Sequence, residues 1–304
     1  MNPSELYNDL LREIESVRAY LMDKPEEAPA NALRALWFLA AGERRAVEWC
    51  LEGELPPVSD ASVDHLRALV REHIEGAPLA HLTGRQCFMG IEMLAGPEAL
   101  IPRKETEILG GAALEVLREK LAANGNALVI DLCTGCGNLA LALAYHEPAC
   151  QVFAADLSPE AVDLARRNAE YLAPQSPAIQ ERVTFAVGDL FEPFDDARFV
   201  GRVDVVVCNP PYISSRRVDE MAAEVSDYEP RLAFDGGPFG VSVLVRLLAE
   251  APRYLKPGGW LCFEVGLGQG DLIRRRLERS SEYGAIETRS DPDGHPRALL
   301  ARRV

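Results

Sequence analysis

The chain has 304 residues, 48% of them hydrophobic and 26% charged, which is enough for one large domain or two smaller ones with a well-buried core. A formal charge of −15 argues against broad, non-specific binding of nucleic acid, which needs clustered Lys and Arg. No apolar run approaches the roughly 18 residues of a membrane span, Met1-Asn2-Pro3-Ser4-Glu5 lacks the order of a signal peptide, and seven scattered cysteines fit reduced thiols in a cytoplasmic protein.

Residues from about Pro3 to about Gly76 read as helical. Leu6, Leu10, Leu11, Ile14 and Val17 recur at helical spacing, and Pro29 precedes a long run from Ala32 to Leu51 that Pro56-Pro57 breaks. Ser59-Asp60 is placed to cap a further helix over 61–74. Nothing in this stretch looks catalytic; packing, partner recognition or a lid are its candidate roles. From His81 to Leu100, Gly84, Gly90 and Gly96-Pro97 punctuate short apolar pieces, which predicts a β-hairpin connector. Leu100-Ile101-Pro102-Arg103-Lys104-Glu105-Thr106-Glu107 then reads as a loop entering a helix that runs to about Ala123. Arg103 is placed either to hold a carboxylate bidentately, as a cofactor-binding residue, or to stand in a solvated charged turn.

Leu128 to Leu132 reads as a buried strand, Cys133-Thr134-Gly135-Cys136-Gly137-Asn138 as a turn, and Leu139 to Ala144 as the start of a helix. Strand, Gly-x-Gly turn and helix together form a nucleotide-cofactor signature, because glycines let the backbone approach a ligand closely. The third glycine of the dinucleotide fingerprint is missing, and so is the Lys-Ser/Thr of a Walker loop. Asp131 is placed to order the glycine turn or to reach a cofactor's amine. The next strand, Gln151 to Ala155, ends at Asp156, whose carboxylate suits the two hydroxyls of a ribose. Ser158-Pro159-Glu160 caps a helix to about Leu172. A strand over Val183 to Val187 leads to Gly188-Asp189-Leu190-Phe191, where Asp189 suits an adenine exocyclic amine and Leu190 or Phe191 its ring.

The β-branched run Val203 to Cys208 reads as a strand buried on both faces, and Asn209-Pro210-Pro211-Tyr212 ends it, because proline donates no ladder hydrogen bond. An amide nitrogen conjugated to a π-system is a poor nucleophile. A site that alkylates it must hold both hydrogens and aim the lone pair. The Asn209 side-chain oxygen and the Pro210 carbonyl are two acceptors of fixed direction, the Pro210-Pro211 pair is rigid, and Tyr212 offers a flat face. Taken alone, the tetrapeptide is also a common turn.

Four consecutive strands thus end on Asp131, Asp156, Asp189 and Asn209, all at one edge of a parallel sheet. An acidic rim suits a cofactor with hydroxyls, an adenine and a cationic centre rather than one with phosphates. S-adenosylmethionine has those features. Ile213 to Ala233 reads as a long polar loop in the substrate wall and Val241 to Tyr254 as a helix. Lys256-Pro257-Gly258-Gly259 reads as a turn into a strand to Val265, Gln269 to Ser281 as a basic helix, and Ala285 to Arg302 as a closing antiparallel hairpin around Asp291-Pro292-Asp293-Gly294. Cys133 and Cys136 lack the second pair or nearby His of a zinc site, and His146 and His295 are isolated, so no metal is expected.

As a set, Asp131 to Gly137, Asn209 to Tyr212, Leu100 to Arg103, Tyr228-Glu229-Pro230-Arg231-Leu232 and Lys256 to Trp260 resemble the HemK/PrmC protein-(glutamine-N5) methyltransferases over nearly the whole chain. The resemblance implies an α/β fold of class I SAM-dependent methyltransferase type. Such a domain is Rossmann-like, a mostly parallel seven-stranded sheet with an antiparallel C-terminal hairpin, behind an N-terminal helical domain. It divides the chain into a substrate-binding helical domain over 1–80, a hairpin linker over 81–105 and a methyltransferase domain over 106–304. It implies that Cys133, Thr134, Gly135, Cys136, Gly137, Asp156 and Asn209 contact S-adenosylmethionine, with Leu190 at the adenine, and that Asn209 to Tyr212 bind a glutamine. In the best-known members that glutamine lies in the Gly-Gly-Gln loop of class I peptide chain release factors. The chain departs from the family turn Gly-Thr-Gly-Ser-Gly at Cys133 and Cys136, carries Asn138 and Leu139 where Ala and Ile are common, and has Leu190 where an aromatic is common. A small-molecule acceptor is the alternative, and a nucleic-acid adenine N6-methyltransferase shares the Asn-Pro-Pro-Tyr motif.

Overall fold

The computed structural model describes residues 2–17, 27–220 and 228–304, so the helical reading over 18–26 and the middle of the 213–233 loop lie outside the described residues. The described residues up to Pro97, with Tyr228, form one compact unit, and those of 98–220 with 229–304 form another.

In the first unit, α1 (Pro3–Val17), α2 (Pro29–Ala40) and α3 (Asp60–Ile74) present apolar stripes to one another, and α4 is the short Leu79–Thr83. Leu6, Leu10, Ile14, Leu33, Leu36, Trp37, Leu66 and Val70 fill its core. The Ser59 hydroxyl accepts from the Ser62 N–H at 3.2 Å and so caps α3 as its sequence predicts. The predicted run to Leu51 stops sooner. α2 ends at Ala40 because Gly42 takes φ 93°, a left-handed stop, and only a 3-10 turn over Val47–Cys50 follows.

Strands β1 (Arg85–Phe88) and β2 (Ile91–Leu94) pair antiparallel around Met89 and Gly90, both at positive φ, the turn that matches strand twist. The hairpin is fastened to this unit: Glu92 Oε2 accepts from the Ala46 N–H at 2.6 Å. The residues after it belong to the second unit, where the Ile101 N–H donates to Glu229 Oε2 at 2.8 Å. The stretch over 81–105 is therefore divided at Pro97 between the two units.

The second unit opens with α5 (Thr106–Asn124). Then come β3 (Ala127–Leu132), α6 (Asn138–His146), β4 (Cys150–Asp156), α7 (Pro159–Leu172), the short α8 (Ile179–Arg182) and β5 (Val183–Val187). β6 (Val203–Cys208), the short α9 (Ser215–Asp219), α10 (Ser242–Tyr254), β7 (Leu255–Glu264), α11 (Gly270–Glu278), β8 (Tyr283–Ser290) and β9 (Pro296–Arg303) complete it. The strand order is β5-β4-β3-β6-β7-β9-β8. β3 to β7 are parallel, and β9 runs antiparallel between β7 and β8. This is the seven-stranded methyltransferase sheet with its closing hairpin. β3 and β6 carry almost wholly buried apolar residues, as a central strand covered on both faces requires. Lys256 to Gly259 are part of β7 rather than a turn before it, with a register shift opposite Val203 to Val205.

Candidate active site

The order reverses between β3 and β6, where Leu132 pairs with Cys208. Connections leave the two strands in opposite directions, so their carboxyl ends open a crevice. A cavity of about 460 Å³ occupies it, and its wall includes Cys133, Thr134, Gly135, Asp156, Asp189, Leu190, Asn209, Pro211 and Arg103. That volume suits a cofactor-sized ligand.

The turn from β3 to α6 is tightly wound: Cys133, Gly135 and Gly137 have φ of 55°, 55° and 83°. Gly137 is constrained by packing, since a Cβ there would lie 3.1–3.2 Å from Ala165, Leu141 and Phe185. Gly135 has open space where a Cβ would stand, so its backbone faces the cavity bare. Cys133 and Leu190 (φ 51°) are non-glycine residues in the left-handed region, both on the cavity wall, and such strain concentrates at ligand sites.

Asp131 lies beneath the wall, fully buried. Its Oδ2 accepts from the Thr134 hydroxyl at 2.5 Å and the Ala140 N–H at 3.1 Å, so it orders the glycine turn; Oδ1 has no partner among the described residues. Cys136 and Gly137 are likewise behind the wall rather than on it, and burial pushes the Cys136 thiol up to about 12. Burial pushes Asp131 from its ordinary 3.8 up to about 7. Between those values the native state keeps a proton that the unfolded chain has lost, so the stability this residue contributes falls as pH rises from about 4 to about 7 and then levels off. In urea titrations, the margin of the native chain over Asp131→Asn is expected to shrink by up to about 4 kcal/mol between pH 4 and pH 8. A margin that does not change with pH would contradict this.

Asp156 ends β4. Its Oδ2 accepts from the Gly135 N–H at 2.8 Å and its Oδ1 from the Ser158 N–H at 2.9 Å. Burial raises its pKa, and the backbone N–H groups of Ser158, Gly135 and Leu157 pull it back. Asp189 is placed differently from its sequence reading: its carboxylate accepts from Arg246 Nη1 at 2.9 and 3.1 Å, in an exposed ion pair, although the residue borders the cavity. Arg103 also differs. The carboxylate it holds is the protein's own Glu229, which is almost fully buried and also takes the Ile101 N–H.

At the end of β6, Asn209 Nδ2 donates to the Thr106 hydroxyl at 3.1 Å. Pro210 and Tyr212 border a second, smaller cavity of about 80 Å³, which they share with Asn209, Arg103 and Glu264. The Tyr212 hydroxyl donates to Glu264 Oε1 at 3.0 Å, and burial beside that carboxylate raises its pKa far above the usual phenol range. The tetrapeptide's backbone is clamped by small residues. Gly236 lies where a Cβ would come 2.5 Å from the Pro211 carbonyl, Gly240 (φ 69°) lies against the Tyr212 carbonyl, and Gln269 Nε2 donates to that carbonyl at 2.9 Å. No hydrogen bond to the Pro210 carbonyl is found among the described residues.

Sequence reading missed Thr106, Glu229 and Glu264. A signal for Glu264 was present, since it is the acidic last residue of a fifth parallel strand at the same edge. Among the described residues all seven cysteines are free thiols, and the one cluster of metal-ligand type, Asp291, Asp293 and His295, sits in the β8–β9 turn. No helix of the described residues is long and apolar enough to cross a membrane.

Comparison with known proteins is consistent in both chain and fold. The model of the methyltransferase small domain matches residues 111–226. A release factor glutamine methyltransferase of Geobacter sulfurreducens is 36% identical over 289 residues, 94% of this chain and 93% of that one. One of Rhodopirellula baltica is 33% identical over 296 residues, 97% of this chain and 96% of that one. Among solved structures, the hMettl16 catalytic domain in complex with a MAT2A 3'UTR hairpin superposes with a TM-score of 0.51 at 12% identity, covering 80% of this chain and 82% of that one.

Proposed function

This chain belongs to the release factor glutamine methyltransferases, and on that footing we propose that it methylates the side-chain amide nitrogen of a glutamine in a class I peptide chain release factor, with Asn209 to Tyr212 holding that amide. The cofactor is S-adenosylmethionine. The residues present fit it: the cavity is rimmed by carboxylates, the Arg103 guanidinium on its wall is already paired with Glu229, and Gly135 leaves room for close backbone approach. When bound, S-adenosylmethionine supplies an electrophilic methyl on a sulfonium that departs as a neutral sulfide.

The chain's own groups bind and orient. Asp156 would hold the ribose hydroxyls, Leu190 would pack at the adenine, and the turn from Cys133 to Gly135 would hold the methionine portion. Asn209 Oδ1 and the Pro210 carbonyl accept the two hydrogens of the glutamine NH2, and Tyr212 offers its ring face to the planar amide. The lone pair is then aimed at the methyl, and orientation provides most of the gain. The nitrogen's proton leaves after the bond forms. The observation that carries this reading is the Asn209–Thr106 hydrogen bond, which spends the carboxamide's nitrogen inward and leaves its oxygen for the acceptor.

The test is incubation with methyl-labelled cofactor and a release factor, followed by peptide mapping. Label is expected on the Gly-Gly-Gln glutamine; label elsewhere, or none, would overturn the substrate assignment.

A further inference from the structure

A methyl group that passes from cofactor to acceptor must cross where their two cavities adjoin. Four residues border both: Leu100, Arg103, Asn209 and Ala233. Among the described residues that border either cavity, Arg103 is the only Lys or Arg. Its guanidinium is charged at every working pH. A bare positive charge at that junction would oppose the donor, whose sulfonium is itself a cation, and the repulsion grows as water is excluded.

Glu229 cancels that charge. It is 6% exposed, and both of its oxygens accept: Oε1 from Arg103 Nη2, and Oε2 from the Ile101 N–H at 2.8 Å. A carboxyl group that accepts on both oxygens, one of them against a guanidinium, is an ionised carboxylate. The Ile101 bond fixes where that carboxylate stands, and the carboxylate fixes Arg103. An ion pair this deeply buried is a weak source of stability compared with apolar packing, so its place between the two cavities is the informative feature.

We propose that Glu229 is a positioning residue that sets the charge preference of the site: by neutralising Arg103 at the junction, it lets the cationic donor bind without the penalty that the neutral sulfide product escapes. This deepens the reading above and rests on its placement of donor and acceptor in the two cavities. Charge makes the proposal separable from a structural role. S-adenosylmethionine and S-adenosylhomocysteine differ by one methyl group and one positive charge. A glutamate that merely tied the Ile101 segment in place would, when replaced, weaken both ligands alike. One that compensates Arg103 would, when replaced, weaken only the charged one.

The experiment measures by calorimetry the Kd of both ligands for the full-length native chain, Glu229→Gln, Arg103→Gln and the double variant. The readout is the ratio of the S-adenosylmethionine Kd to the S-adenosylhomocysteine Kd. It is expected to rise about fivefold or more in Glu229→Gln, where Arg103 stands uncompensated, and to return to within about twofold of native in the double variant. In Arg103→Gln the ratio is expected to fall, because the carboxylate then faces the sulfonium alone; this variant decides the matter if Glu229→Gln does not fold. An unchanged ratio in Glu229→Gln, a double variant as raised as Glu229→Gln, or a ratio that holds or rises in Arg103→Gln overturns the proposal. Were the native chain to bind both ligands and label no release factor, the substrate reading would fail, and the ratios would still decide the role of Glu229.

Discussion

Asn209→Ala is expected to lower kcat for glutamine methylation by about 10³-fold, with cofactor Kd changing by no more than several-fold. Among the described residues the side chain makes one hydrogen bond, to Thr106, so its removal costs the fold little. The acceptor loses more. Without Oδ1 one N–H of the NH2 group has no partner, the amide rotates, and its lone pair no longer points at the methyl. Quench-flow kinetics with a release factor and calorimetry with the cofactor separate the two quantities. A Kd loss as large as the kcat loss would mean that Asn209 serves the cofactor rather than the acceptor.

The mirror-image result is expected from Asp156→Ala. Cofactor Kd should rise by about 10²-fold or more, because two charge-assisted hydrogen bonds to ribose, each worth about 1.5–3 kcal/mol, are lost together. The substitution also takes the acceptors from the Gly135 and Ser158 N–H groups, at 2.8 and 2.9 Å, so the glycine turn loosens against the start of α7. Asp156→Asn, which keeps one acceptor, should fall between. Calorimetric titration with S-adenosylmethionine decides it, and binding unchanged in Asp156→Ala would remove this carboxylate from the cofactor site.

The two substitutions probe different parts of one edge, and the sequence reached that edge by a simple rule. Buried β-branched runs stop where a polar residue or proline stops them, and in a parallel sheet all such stops face the same way. Asp131, Asp156 and Asn209 were found in this manner, and applying the rule to β7 finds Glu264 as well. Where it misled, the cause was pairing rather than placement. Asp189 ends up at the cavity, but Arg246 of α10 holds its carboxylate. Arg103 ends up there too, with Glu229 as its partner.

By itself the sequence determined the order of elements, the strand ends, the glycine turn and the acidic character of the rim, because each depends on a few adjacent residues and their backbone preferences. What only the tertiary structure decided is which polar atoms remain available. Arg103 and Glu229 are 126 residues apart, Asn209 and Thr106 103, and Tyr212 and Glu264 52. A side chain's spare hydrogen-bonding capacity is what folding leaves after such distant partners have met, and no local pattern encodes that remainder.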